Sequence, residues 1–130
     1  MDVKNLFILI FVLVLIWILL NPIGRFGLHF FGFTVYSGIP FPYVDLKIYS
    51  SGVPSIREKS HFISYEEVED LLDAEILIMG IGYDRICRVD KRILNSSVEV
   101  KILDTENAIK EFNRLRNEKR KVAAIIHSTC

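Results

Sequence analysis

The sequence predicts a layered α/β domain of βαβ type carried behind a single membrane-spanning helix, and three observations lead there. The first is an unbroken apolar run, Leu6 to Leu20, inside a stretch from Asn5 to Gly24 that holds no charged side chain. The second is period-two alternation across residues 30–57, the mark of strands with one face covered. The third is a change of period after residue 64, where helical spacing and short apolar runs take turns up to residue 126.

Twenty helical residues rise about 30 Å, the thickness of a hydrocarbon core. A segment apolar on every face satisfies its backbone as a helix and its side chains in lipid or a deep core. A cleavable signal peptide needs a basic start and small residues at the cut, whereas here the exit NPIGRFG places Pro22 and Arg25 there. A retained anchor is therefore favoured over a cleaved leader or a buried helix, with residues 1–24 as anchor and 25–130 as domain. Trp17 suits an interfacial aromatic, and Pro22 and Gly24 stop the helix. Lys4 and Arg25 flank the two sides, which leaves the face of the domain undecided.

The chain has 16 Lys+Arg and 16 Asp+Glu, and only Asp2 and Lys4 fall in the first 24 residues, so the domain is neutral. That argues against nucleic acid, which needs a basic surface. Two cysteines, Cys87 and Cys130, are too few for a disulfide scaffold and read as free thiols, a lean toward the cytoplasmic face.

Element by element, Phe33 and Val35, then Val44, Leu46 and Ile48, give strands around the loop SGIPFP, whose Gly38, Pro40 and Pro42 act as breakers; a hairpin or meander is expected. Ser64 with Glu67 forms a capping box, Ile63 and Val68 stand at staple positions, and Val68, Leu71 and Leu72 repeat at helical spacing, predicting a helix over 65–73. Glu75 to Gly82 reads as a strand covered on both faces. Lys91 to Leu94 makes one helical turn, and Val98, Val100 and Ile102 alternate as a strand. Asp104 or Thr105 caps a helix with the apolar stripe Ala108, Ile109, Phe112 and Leu115. Arg114, Arg116, Lys119, Arg120 and Lys121 gather at its C-terminal end, either as a dipole-matched solvated end or as a patch for anionic lipid or a partner. Val122 to Ile126 is a last strand.

Three groups of residues carry candidate chemistry. Gly80-Ile81-Gly82 ends a strand, where open α/β sheets bind ligands, but two glycines with no helix opening directly after them favour a tight turn or close packing over a phosphate loop. His127 and Cys130 invite a nucleophile or metal reading. On a continuing strand, residues three apart face opposite ways, and no paired His/Cys spacing completes a zinc set. Asp45, Arg57 and His61 could converge with His127 into a small polar pocket, although internal salt bridges are the plainer use of such residues.

Several of these residues also form a pattern: Ile78-x-Gly80-x-Gly82, then Thr105-x-x-Ala108 with Phe112-Asn113-x-Leu115, then Val122-Ala123-Ala124-x-x-His127-x-Thr129-Cys130, with Gly38, Tyr43, Asp45, Gly52, Arg57 and His61 upstream. Over roughly residues 30–130 the chain resembles the Mth-type domain family, which includes an adipogenesis-associated protein and a mitochondrial complex I assembly factor. The resemblance implies a three-layer α/β fold around a mixed sheet and no established catalytic activity. The family usually has Thr between the two glycines where this chain has Ile81, and the apolar anchor is not a usual part of the domain.

The expectation is thus a single-pass, membrane-tethered binding domain acting as an assembly or scaffold factor for a membrane protein partner in contact with the lipid bilayer. No catalytic residue, cofactor or metal is expected, and the reading leans away from an enzyme. The alternative is a small-ligand or enzymatic domain using Gly80 and Gly82 with Arg57, His61 and His127.

Overall fold

Two runs without a polar side chain, Val122–Ile126 and Ile76–Gly80, become the centre of the molecule, because only a strand covered on both faces can bury every residue. The computed structural model describes residues 1–130 and places these strands, β10 and β7, side by side and parallel, with Val122 opposite Ile76 and Ile126 opposite Gly80. β9 (Glu99–Leu103) continues the parallel set beyond β7. On the other side β4 (Asp45–Ile48) and β5 (Pro54–Arg57) run antiparallel, so the five-stranded sheet is mixed, in the order β5-β4-β10-β7-β9.

Alternation in these strands sorts two cores onto opposite faces. Ile76, Ile78, Val122, Ala124, Ile126, Leu46 and Ile48 meet α4 (Thr105–Asn117) through Ala108, Ile109, Phe112 and Leu115. Phe112 is fully buried and lies edge-on to Phe26 and Tyr36, so Phe112→Ala should cost about 3–5 kcal/mol. Leu77, Met79, Ala123 and Ile125 face the other way, onto Ile63, Val68, Leu71, Cys87 and Ile93. That second layer is built from α2 (Tyr65–Val68) with a 3-10 turn over Glu69–Leu71, α3 (Lys91–Leu94), and the short parallel pair β6 (Phe62–Ile63) and β8 (Arg88–Val89). The three layers expected from the resemblance are present.

The capping box forms as expected, with Glu67 N–H donating to Ser64 and the Glu67 side chain accepting from the Ser64 backbone, but the helix expected over 65–73 tightens into a 3-10 turn after Val68. Asp104 caps α4. Ile102 is exposed, because β9 is an edge strand and its outer face is uncovered. The basic residues at the end of α4 are largely paired: Arg114 with Glu111 and Glu118, Arg120 with Glu75, Lys121 with Asp73, and Arg116 over the Phe112 ring. Such an arrangement is a dipole-matched, salt-bridged helix end.

A three-stranded meander, β1 (Phe26–Phe30), β2 (Phe33–Tyr36) and β3 (Ile39–Pro42), packs beside α4 through Phe26 and Tyr36. The stretch read as a loop, SGIPFP, contributes β3 despite two prolines. β3 is an edge strand, and Tyr43 N–H bonding Gly32 puts Pro40 and Pro42 at the positions whose nitrogens face away from β2.

The apolar helix α1 (Val3–Leu20) has no buried residue. Its end is nevertheless fixed to the meander. Trp17 Nε1 donates to Gly38 O at 3.0 Å, and Asn21, itself buried, accepts from Leu28 N–H at 2.8 Å. A Cβ on Gly27 would lie 1.9 Å from Asn21 Oδ1, so only glycine admits this closure. Gly24 N–H donates to Ser37 Oγ, and the joint therefore reaches across both sides of residue 24.

Candidate functional site

Antiparallel register builds the polar centre. Leu46 stands opposite Ile126, which sets Asp45 against His127, while the β4–β5 register sets Asp45 opposite Arg57. Asp45 has no exposed side-chain surface, and its carboxylate is fully used. It accepts from Arg57 Nη1 at 2.8 Å, His127 Nδ1 at 2.6 Å, Ser128 N–H at 3.1 Å and Ser128 Oγ at 3.3 Å, with Lys59 Nζ at 3.5 Å. Burial pushes its pKa up, but the hydrogen bonds from His127 and Ser128 and the charges of His127 and Arg57 outweigh burial and hold the carboxyl below its ordinary value. An ionised Asp45 can only accept, so Nδ1 of His127 carries the proton and Nε2 is the nitrogen free to act.

Arg57 is equally committed: Nε donates to Glu67 at 2.7 Å and Nη2 to Phe62 O at 3.2 Å. Lys59 spans to Ser128 Oγ at 3.2 Å and Thr129 Oγ1 at 3.3 Å. Beyond Ile126 the chain leaves β10 and turns back over the strand ends. The bend brings Cys130 Sγ to 3.7 Å from His61 Nε2 and sets the His61 ring edge-on to His127, centroids 5.2 Å apart. His127 and Cys130 would face opposite ways on a continuing strand, and this bend is what lets them meet.

The glycine tip serves packing. A Cβ on Gly80 would come within 3.1 Å of Ala108 Cβ and Ile126 Cδ1, so glycine lets α4 sit close on the sheet. Gly82, at φ +107°, would drive a Cβ to 2.2 Å from Cys130 O, so glycine here lets the segment 127–130 pack directly against the strand end. Asp84 and Ile86 N–H groups both donate to that oxygen. Thr105 ties the corner, accepting from Gly82 N–H at 2.9 Å and donating to His127 O at 2.6 Å.

The other four candidate ligand residues from the sequence thus gather around His127, Arg57 through Asp45, His61 by its ring, and Gly80 and Gly82 through the backbone. They do not line one open cavity. The larger concavity, about 600 Å3, lies over β4 and β5 and is lined by Lys47, Tyr49, Ser55, Arg57, Lys59 and Glu67 among others. Lys47 is itself spent on Glu67 O and Asp70. Sequence reasoning underrated Asp45, whose signal was a lone acid in an apolar alternation, and Lys59, which carried none.

A mixed sheet between α4 with its meander and a layer of short elements, closed by an HSTC segment turned back over the strand ends, defines an Mth-type α/β domain. The chain belongs to the family described as "Protein of unknown function (DUF498/DUF598)", which matches residues 27–127. It is similar to MT938, at 30% identity over 82% of this chain and 98% of that one, with a TM-score of 0.64. Conserved hypothetical protein PH1505 from Pyrococcus horikoshii OT3 is 29% identical over 82% and 99%, with a TM-score of 0.69. A Mth938-like domain from Bordetella pertussis shares the fold at 14% identity over 80% and 85%, with a TM-score of 0.62.

Proposed function

We propose that this chain is a membrane-tethered, non-catalytic binding domain that serves as an assembly or scaffold factor for a membrane protein partner. The observation that carries this reading is the joint between α1 and the meander. An 18-residue helix of mean hydropathy 2.8 with no buried residue has its last turn pinned to Gly38 and Leu28, so a bilayer around α1 would meet the meander directly. Leu28, Phe30, Phe31, Ile39 and Tyr43, in or beside that meander, are each half exposed or more. An apolar surface of this kind next to a span suits a partner embedded in the same membrane.

Consistent with binding rather than turnover, every charged group at the polar centre is paired within the fold, and the glycine tip is filled by the chain itself. The alternative, a ligand or enzymatic domain, is favoured only by the approach of His61 to His127.

The test is site-specific photo-crosslinking in native membranes from position 28 or 30, with exposed Leu94 on α3 as the control position. A discrete adduct to one integral membrane protein from the meander positions and not from position 94 is expected. Equal labelling from all three positions, or adducts to soluble proteins alone, would overturn the reading.

A further inference from the structure

Three donor atoms that form no salt bridge with each other converge where the buried centre meets the surface: one nitrogen of exposed His61, one of buried His127, and Cys130 Sγ, all within 4.8 Å of one another. We propose that His61, His127 and Cys130 form a binding site for a borderline-soft divalent ion of the zinc class, in which Asp45 orients His127 from behind. The proposal goes beyond the tethered-binding reading and does not depend on it.

Four features carry it. The donor set is two imidazoles and a thiol, the ligands such ions select. The spacing fits. Zinc bonds of about 2.0–2.1 Å to nitrogen and 2.3 Å to sulfur put tetrahedral N and S ligands about 3.6 Å apart, and Cys130 Sγ stands 3.7 Å from His61 Nε2. The widest separation in the set must close by roughly 1 Å to reach that tetrahedral spacing. The two outer ligands can supply this, since His61 is exposed and Cys130 is partly exposed, whereas His127 is fixed.

The third feature is behind the site. The Asp45 carboxylate 2.6 Å from Nδ1 locks the His127 ring and leaves Nε2 toward the cluster, the carboxylate–histidine arrangement that orients metal ligands elsewhere. Nε2 now accepts from the Thr129 hydroxyl at 3.2 Å, and the ion would replace that weak partner. The fourth is access, because the exposed His61 side gives an entry path. Binding would convert the Cys130 thiol to a thiolate, with its proton passing to solvent, and each imidazole would coordinate through a nitrogen that carries no proton. Three protein ligands leave a fourth position open to water or to a group from a partner.

Cobalt(II), titrated into the tag-free full chain in detergent with a phosphine reductant, tests the proposal. The expected result is a thiolate-to-cobalt charge-transfer band with tetrahedral d–d bands, saturating at one ion per chain and displaced by zinc. Cys130→Ser should abolish the charge-transfer band, His61→Ala should weaken zinc binding by about 100-fold or more, and Cys87→Ser should change neither. Both informative residues are accessible, so circular dichroism can confirm that the variants stay folded. Absence of a saturating band, a band that survives Cys130→Ser, or one lost with Cys87→Ser would overturn the site.

Discussion

The Asp45 carboxylate accepts the Nδ1 proton of His127 at 2.6 Å across the β4–β10 pair, and the same carboxylate holds Arg57. One buried acid thereby joins three strands and the closing segment. Removing it strands the Arg57 guanidinium with only Glu67 and a carbonyl for partners. Asp45→Ala should destabilise the domain by about 3–5 kcal/mol, read as a fall in the urea midpoint. That is a large share of the stability of an ordinary domain.

The pH dependence follows from the direction of the Asp45 shift. Its folded pKa lies below its ordinary value, so its contribution is complete above the unfolded carboxylate pKa of about 3.9 and is lost as pH falls through the folded value. The Asp45 contribution should hold down to about pH 4, and the urea midpoint of the wild type should fall as the pH drops below that. Asp45→Asn should start lower and show a flatter profile over the same range. Parallel profiles for the two proteins would show that other carboxylates govern acid unfolding.

Glycine at 82 is required for a different reason from glycine at 24. Both have positive φ, but a Cβ on Gly24 meets nothing within 4 Å, whereas one on Gly82 collides with Cys130 O. Gly24→Ala should cost about 1–2 kcal/mol of backbone strain. Gly82→Ala should cost clearly more and should raise hydrogen exchange at the Asp84 and Ile86 amides, which bond to Cys130 O.

The same residues show what could be read from sequence. Regular period was legible: β7, β10, the capped α2 and the α4 stripe all lie where apolar spacing put them, because burial of one face or both leaves its mark every second or third residue. What was not legible depended on neighbours in space. β3 is a strand because register turns Pro40 and Pro42 outward, and α2 shortens because a 3-10 turn leads Leu71 into the core. The meeting of His61 with Cys130 depends on a backbone bend after Ile126, and the centrality of Asp45 depends on two registers at once.

The two thiols should react at different rates. Cys87 is buried, and burial pushes its thiol up to about 11, whereas Cys130 is partly exposed. Alkylation of the native protein should modify one thiol readily, and Cys130→Ser should remove that reaction. Cys87 should react only in denaturant. Both cysteines are free, so non-reducing mass analysis should give the fully reduced mass.

Alkaline carbonate extraction of the full chain, beside a truncation that keeps residues 21–130 and with them Asn21 and its bond to Leu28, tests whether α1 fixes the folded domain to a membrane. The full chain should stay with the membrane pellet, and the truncated chain should be released as a soluble domain with a cooperative thermal transition. Release of the full chain into the carbonate supernatant, or an unfolded and aggregated truncation, would contradict this, because α1 would then be part of a core instead of an anchor.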